Sequence, residues 1–206
     1  MIIAVTGTPG TGKSYFAKRL AARTGFRYLE LNQWIKENGL YESYDRKAQT
    51  HEVDVNKLRK RIQPLVEKSR FDSKDQFQKE IKAQFSKLVN KNIGMNDFLK
   101  KIKPEIFKKI KPEKIKEKIK EKNNNKRQTS RTQNSSIIID SHLSHYIKAD
   151  FCLVVKRGLK SLRKEFERRN YPKQKIEDNL ESEIFDICLE EAGELKQKII
   201  IISNSI

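Results

Sequence analysis

At 206 residues, 36% of them hydrophobic, the chain has room for one domain with a sound core or one domain plus an appendage, and no apolar run in it is long enough to cross a bilayer. Lys and Arg number 45 against 27 Asp and Glu, and the resulting charge of +18 implies an acidic partner. The excess is local. Residues 56–131 hold 25 Lys+Arg against 9 Asp+Glu and the rest only 20 against 18, so a nearly neutral globular part and a very basic segment need separate explanations.

Met1 opens directly on the first predicted strand, Ile2-Ile3-Ala4-Val5-Thr6, with no signal peptide before it. Cys152 and Cys188 lie far apart in apolar stretches, as buried thiols of a reducing compartment do, so an intracellular location is expected. After the strand comes Gly7-Thr8-Pro9-Gly10-Thr11-Gly12-Lys13-Ser14, then an amphipathic helix carrying Phe16, Leu20 and Ala21. A buried strand, a G-x-x-x-x-G-K-[ST] turn and a helix start are the context in which this motif is a phosphate-binding loop. Its glycines let backbone N–H groups turn around an anion, and the helix N-terminus adds positive potential. Lys13 would reach the β- and γ-phosphates and Ser14 would ligate Mg²⁺, so a nucleoside triphosphate is the expected ligand.

Phe26-Arg27-Tyr28-Leu29 is predicted as a second strand and Gln33–Glu37 as a helix, followed by a polar stretch ending Thr50-His51-Glu52-Val53-Asp54. Residues 63–135 break the rhythm. There Ser73 is a predicted N-cap, Phe77, Ile81, Phe85 and Leu88 share one helical face, and Gly94 could end that helix. A crude repeat, Ile102-Lys103-Pro104-Glu105 and Ile110-Lys111-Pro112-Glu113, suggests short broken helices, with Ile115 and Ile119 continuing the stripe. The polar remainder, from Asn123 to Ser136, is expected to be mobile. Apolar runs then return at 136–140, 151–155 and 199–202, with helices predicted over 159–168 and 176–192. Continuous apolar strands alternating with helices predict one α/β domain over 1–206, a five-stranded parallel sheet flanked by helices with a basic helical insertion at 63–135. Ligands of such sheets bind at the C-terminal strand ends, where the glycine-rich loop and Asp140 both fall.

Asp140 ends an apolar strand, the usual place for the acidic partner of a phosphate-binding loop, where it would hold the Mg²⁺ shell. His142, two residues on, could orient that acid, contact a phosphate, position a water, or serve only as scaffold. A metal site from Asp140, His142 and His145 lacks a cysteine cluster or fourth ligand. Arg168, Arg169, Tyr171 and Lys173 form a basic turn between helices that either closes on phosphates or is a solvated helix end. No Asn-Lys-x-Asp or Thr-Lys-x-Asp signature follows a later strand, which argues against a GTPase.

Together the glycine-rich loop, Asp140-Ser141-His142-Leu143-Ser144-His145, and Arg169-Asn170-Tyr171 through Asn179-Leu180-Glu181-Ser182-Glu183-Ile184-Phe185 resemble the adenylate kinase isoenzyme 6 family, over about 1–62 and 136–203. The resemblance implies a P-loop nucleoside monophosphate kinase fold, ATP with Mg²⁺ as donor, AMP as preferred acceptor, and an ATPase activity tied to small-subunit ribosomal RNA maturation with a small-subunit ribosomal protein as partner. It also implies that Gly10, Gly12, Lys13, Ser14 and Tyr15 bind ATP, that residues 30–53 form the monophosphate-binding region, and that 168–178 form a short lid whose Arg169 contacts ATP. Asp140 and His142 match the family's acid-x-histidine motif. In the family only a short link joins the helix after Val53 to the Asp140 strand, so 63–135 is expected as an insertion.

The chain departs from the pattern in three places. Lys36 stands where the monophosphate region has an arginine, keeping charge without a bidentate fork. The lid reads Arg169-Asn170-Tyr171 rather than Arg-Gly-Tyr, and Asn tolerates a left-handed turn. Ser205 and Ile206 stand where a lysine near the adenine and a final helix are expected. For the basic segment two readings stay open: backbone contact with ribosomal RNA, or a tolerated surface insertion.

Overall fold

The computed structural model describes residues 1–46, 50–69, 76–102 and 136–205. The predicted N-cap at Ser73, the Pro-containing repeat beyond Ile102 and the stripe at Ile115 and Ile119 lie outside the described residues. No helix among the described residues is long and apolar enough to cross a membrane.

The chain begins with β1 (Ile2–Thr6), α1 (Lys13–Thr24), β2 (Arg27–Glu30) and α2 (Leu31–Glu37). A two-stranded antiparallel hairpin follows, β3 (Tyr41–Asp45) with β4 (Thr50–Val53), and then α3 (Val55–Lys68). Asp54 caps α3, its carboxylate accepting from the N–H groups of Asn56 and Lys57 at 2.7 and 3.1 Å. The Lys-rich region supplies α4 (Gln76–Ser86), β5 (Asn92–Gly94) and α5 (Met95–Lys101). After it come β6 (Ile137–Asp140), a 3₁₀ turn (Ser144–Tyr146), β7 (Phe151–Arg157), α6 (Leu159–Arg168), α7 (Lys173–Ile184), α8 (Ile187–Glu194) and β8 (Ile199–Asn204).

Among the described residues six strands, not five, form the main sheet, in the order β2-β6-β1-β7-β8-β5 and all parallel. β5 escaped the sequence reading because it is three residues long with one apolar member, too short to show a period. Its pairing with β8, Ile93 opposite Ile202, makes part of the predicted 63–135 insertion integral to the domain. Residues 63–68 likewise belong to α3.

Alternation along the strands gives the sheet two buried faces. On one, Ile3, Val5, Ile138, Leu153, Val155, Ile200 and Ile202 pack against Phe16 and Leu20 of α1, Ile81 and Phe85 of α4, and Phe98 of α5. On the other, Ile2, Ile137 and Ile139 pack against Leu31 and Ile35 of α2 and Leu58, Ile62 and Val66 of α3. The predicted apolar face of Ile81, Phe85 and Leu88 is therefore core, although α4 ends at Ser86 and Gly94 instead precedes α5. The single helix predicted over 176–192 is two, broken at Asp186, which takes a left-handed φ of 53°.

Candidate active site

β1 lies between β6 and β7 and passes into the glycine-rich loop, so the strand order changes sides there and a crevice opens at the C-terminal ends. The loop is shaped by glycines that nothing else could replace. Gly7 has φ 138°, and a Cβ there would stand 2.3 Å from the Val155 carbonyl oxygen. Gly10 has φ 84°, and its Cβ would press on Phe166 and Leu162 of α6 at 2.8 and 2.9 Å.

Three contacts with distant parts of the chain brace the loop. The Thr8 hydroxyl donates to Glu183 Oε2 on α7 at 2.6 Å, and the other Glu183 oxygen accepts from the Arg157 backbone N–H at 3.1 Å. Arg157 Nη1 donates to the Gly10 carbonyl at 3.1 Å, and Asn204 Nδ2, at the end of β8, donates to the Thr11 carbonyl at 2.8 Å. Burial pushes the Glu183 carboxyl up, and the Thr8 and Arg157 donors oppose that.

A cavity of about 800 Å³ sits above the loop. Its wall includes Gly10, Gly12, Lys13, Ser14 and Tyr15 from the loop and α1, His142 from the turn after β6, and Arg169 from the turn after α6. Thus eight of the residues singled out in the sequence divide as follows: these seven share one cavity, and Asp140 lies behind it, 2% exposed. Lys36 is different: it is exposed on α2 and does not line the cavity, whereas Asn32, one turn earlier on the same helix, does. Helical spacing explains the difference, since a four-residue step keeps the face but moves the side chain a full turn along the axis.

Burial pulls the Lys13 ammonium down from its usual range, and the Asp140 carboxylate opposes that shift. His142 is pulled down to about 4, by burial first, then by the Lys13 charge and by His145 when that ring is protonated. At neutral pH its ring is uncharged and able to accept a hydrogen bond. Arg169 is steadied by Glu165, which it meets at 2.7 Å through Nε; Arg168 first and Arg169 second hold the Glu165 carboxyl down to about 2.

The turn bearing His142 is pinned to β1. Ser144 Oγ donates to the Val5 carbonyl at 2.8 Å, and the buried His145 ring sits with Nδ1 2.8 Å from Thr6 Oγ1 and Nε2 2.9 Å from Glu191 Oε2. His145 is therefore engaged inside the protein, and no group of three or more His, Cys, Asp or Glu side chains able to hold a metal occurs among the described residues. Asp140 fits a different role. Its Oδ2 accepts from the Tyr28 hydroxyl at 2.8 Å, while its Oδ1 is buried with no hydrogen-bond partner among the described residues. A carboxylate oxygen without a protein partner among the described residues, on a side chain whose charge acts on Lys13, suits one hard-cation ligand, with the Ser14 hydroxyl at the α1 N-terminus as another.

Tyr28, Thr8, Arg157, Glu183 and Asn204 all escaped the sequence reading as site residues. Their partners are remote in the chain, and no local spacing signals such pairs.

A parallel sheet whose first strand feeds a glycine-rich loop, with a lysine, a helix N-terminus and Arg169 around one cavity, defines a P-loop nucleotide kinase. A family model described as an AAA domain matches residues 3–81. Proteins named "Putative adenylate kinase" align with the chain from Methanosarcina mazei (30% identity over 205 residues, 100% of this chain and 79% of that protein) and Thermococcus kodakarensis (24% over 205 residues, 100% and 77%). One from Methanocaldococcus jannaschii is 23% identical over 189 residues, 92% of this chain and 70% of its own length. The chain belongs to the family of these archaeal proteins, the adenylate kinase isoenzyme 6 family that its motifs resemble.

Proposed function

We propose that the chain transfers the γ-phosphoryl group of ATP to a nucleoside monophosphate, with AMP as the preferred acceptor. The observation that carries this reading is the single cavity shared by the glycine-rich loop, the lid arginine and Asn32 of α2, which joins a triphosphate cradle to the helix opening the 30–53 region. An acceptor phosphate oxygen attacks the γ-phosphorus, the β–γ bridging P–O bond breaks, and two nucleoside diphosphates leave.

Little covalent work falls to the protein, so positioning and charge dominate. Backbone N–H groups of the loop and the α1 N-terminus bind the donor phosphates. Lys13 and Arg169 stabilise the charge that spreads over the transferring group. Tyr15 borders the donor side, and residues 168–178 act as a short lid that excludes water. Ser14 and Asp140 would hold Mg²⁺, which would supply neutralising charge to the donor phosphates. His142, neutral at pH 7, helps order the site. Free thiols at Cys152 and Cys188, pushed up by burial to about 12 and about 11, accord with work in a reducing, intracellular compartment.

The test is ADP formation from Mg²⁺-ATP with and without AMP, beside a Lys13→Ala control. Strong AMP-dependent ADP formation lost in the control supports the kinase. Slow phosphate release indifferent to AMP refutes it.

The charge surplus of residues 56–131 favours a second reading, an ATP-switched assembly factor. ATP hydrolysis would release a small-subunit ribosomal protein or ribosomal RNA, the latter held through phosphate contacts of the basic segment. Stimulation of hydrolysis by such a partner, in a salt-dependent manner, supports it; hydrolysis unchanged by ribosomal RNA and protein counts against it.

A further inference from the structure

Alternation along β6 puts Ile138 and Asp140 on the sheet face that packs against α1. β2 sets Tyr28 opposite Ile138, so Tyr28 shares that face, and its side chain runs along the sheet toward the C-terminal edge. The residue directly opposite Asp140 is Glu30, which is exposed. The hydrogen-bond donor to Asp140 therefore comes from two residues upstream, the Tyr28 hydroxyl at 2.8 Å from Oδ2.

The tyrosine is itself held: its ring packs on the main core cluster and lies 5.5 Å from Lys18 Nζ on α1. The carboxylate is thus asymmetric. Oδ2 is satisfied by the protein, while Oδ1 is buried and has no partner among the described residues. A buried oxygen without a partner is costly, so its retention needs a use. Asp140 also has a competing attraction, since its charge acts on the buried Lys13 ammonium. A carboxylate free to turn would draw toward Lys13 and take that cation away from phosphate.

We propose that Tyr28 is a positioning residue for phosphoryl transfer: its hydroxyl clamps Asp140 so that Oδ1 faces the divalent cation that accompanies the nucleotide and Lys13 stays available to the phosphates. The inference rests on the reading of Asp140 as part of the cation site. It explains why an aromatic residue with a hydroxyl stands at this position of an otherwise ordinary edge strand.

Tyr28→Phe removes one oxygen and keeps the ring, its packing and its place beside Lys18. The experiment measures Mn²⁺ affinity by electron paramagnetic resonance on the full chain with a non-hydrolysable ATP analogue, so that turnover plays no part. Asp140→Asn is measured beside it, with the thermal midpoint and the KM for AMP of each variant. The expected result for Tyr28→Phe is a loss of about 10-fold in Mn²⁺ affinity and a matching rise in the Mg²⁺ needed for half-maximal ADP formation, with the KM for AMP held within about twofold.

If Asp140→Asn weakens Mn²⁺ binding and Tyr28→Phe does not, the clamp is overturned and the cation site stands. If neither variant weakens it, the cation site and the clamp fall together. A Tyr28→Phe protein that loses thermal stability and all ligand affinities in parallel also overturns the clamp, because a merely structural tyrosine predicts that pattern.

Discussion

Phe85 sits in the Lys-rich region, yet it is fully buried, with ring centroids 5.3 Å from Phe98 and 5.2 Å from Phe151 of β7. Phe85→Ala would remove a buried ring and leave a cavity between α4, α5 and the sheet. Phe→Ala truncations in cores cost about 3–5 kcal/mol in all, of which each favourable aromatic pair accounts for about 0.5–1.5 kcal/mol. With two such pairs lost, we expect about 4 kcal/mol, which for a domain of this size lowers the thermal midpoint by about 8–16 °C. The assay is denaturant unfolding followed by fluorescence of Trp34, the chain's one tryptophan, which lies on α2 and packs on the opposite face of the sheet. If α4, β5 and α5 are integral to the domain, the distant Trp34 transition moves with the full destabilisation. A loss under about 1 kcal/mol, or a Trp34 transition that stays in place while a second transition appears, would refute the packing argument.

Two glycines with positive φ should respond very differently to alanine. Gly25→Ala, at φ 63° with open space around it, should cost about 1 kcal/mol, whereas Gly7→Ala must displace the Val155 backbone and should abolish the thermal shift produced by ATP. Thr8→Val strips the buried Glu183 of a donor and should cost about 1–3 kcal/mol; a cycle with Glu183→Gln should show non-additivity, and additive losses would disprove the coupling. His142 has a folded-state pKa of about 4 against 6.5 unfolded, so between these values the unfolded chain binds more protons and stability falls as pH drops from 6.5 toward 4, with no contribution to the slope above 6.5. The ring is partly exposed, so the loss should be about 2 kcal/mol rather than the full value at 1.4 kcal/mol per unit; His142→Asn should flatten that part of the stability curve, and an unchanged slope would count against it.

The elements that could be read in advance have local causes. The turn from Gly7 to Ser14 was legible because positive φ and close backbone approach are demands on single residues, and glycine meets them wherever it stands. The runs at Ile2–Thr6, Ile137–Asp140 and Phe151–Val155 were legible because a strand buried on both faces is apolar at every position. In the Lys-rich region the helical face of Ile81, Phe85 and Leu88 was legible from its spacing, but the charge excess concealed that this face belongs to the main core. Ile81, Phe85 and Phe98 face the core with lysines between them, and a net-charge count averages over the two faces of a helix.

What the fold alone decided are the pairings between residues remote in the chain. β5 is a strand because β8 lends it hydrogen-bond partners, and Asn92 to Gly94 carry no period of their own. Asp140 could be placed at a strand end from its neighbours, but the donor on one oxygen and the open second oxygen came from Tyr28 and from packing. Asn32 rather than Lys36 reaches the cavity because α2 starts at Leu31 and is set against the sheet by Leu31 and Ile35, which orients the rest of the helix. Local conformational preference acts over a few residues and is written in their order. Which side chain meets which across the crevice depends on how the main sheet's six strands and the eight helices of the described residues stack, and that is an outcome of burial along the chain.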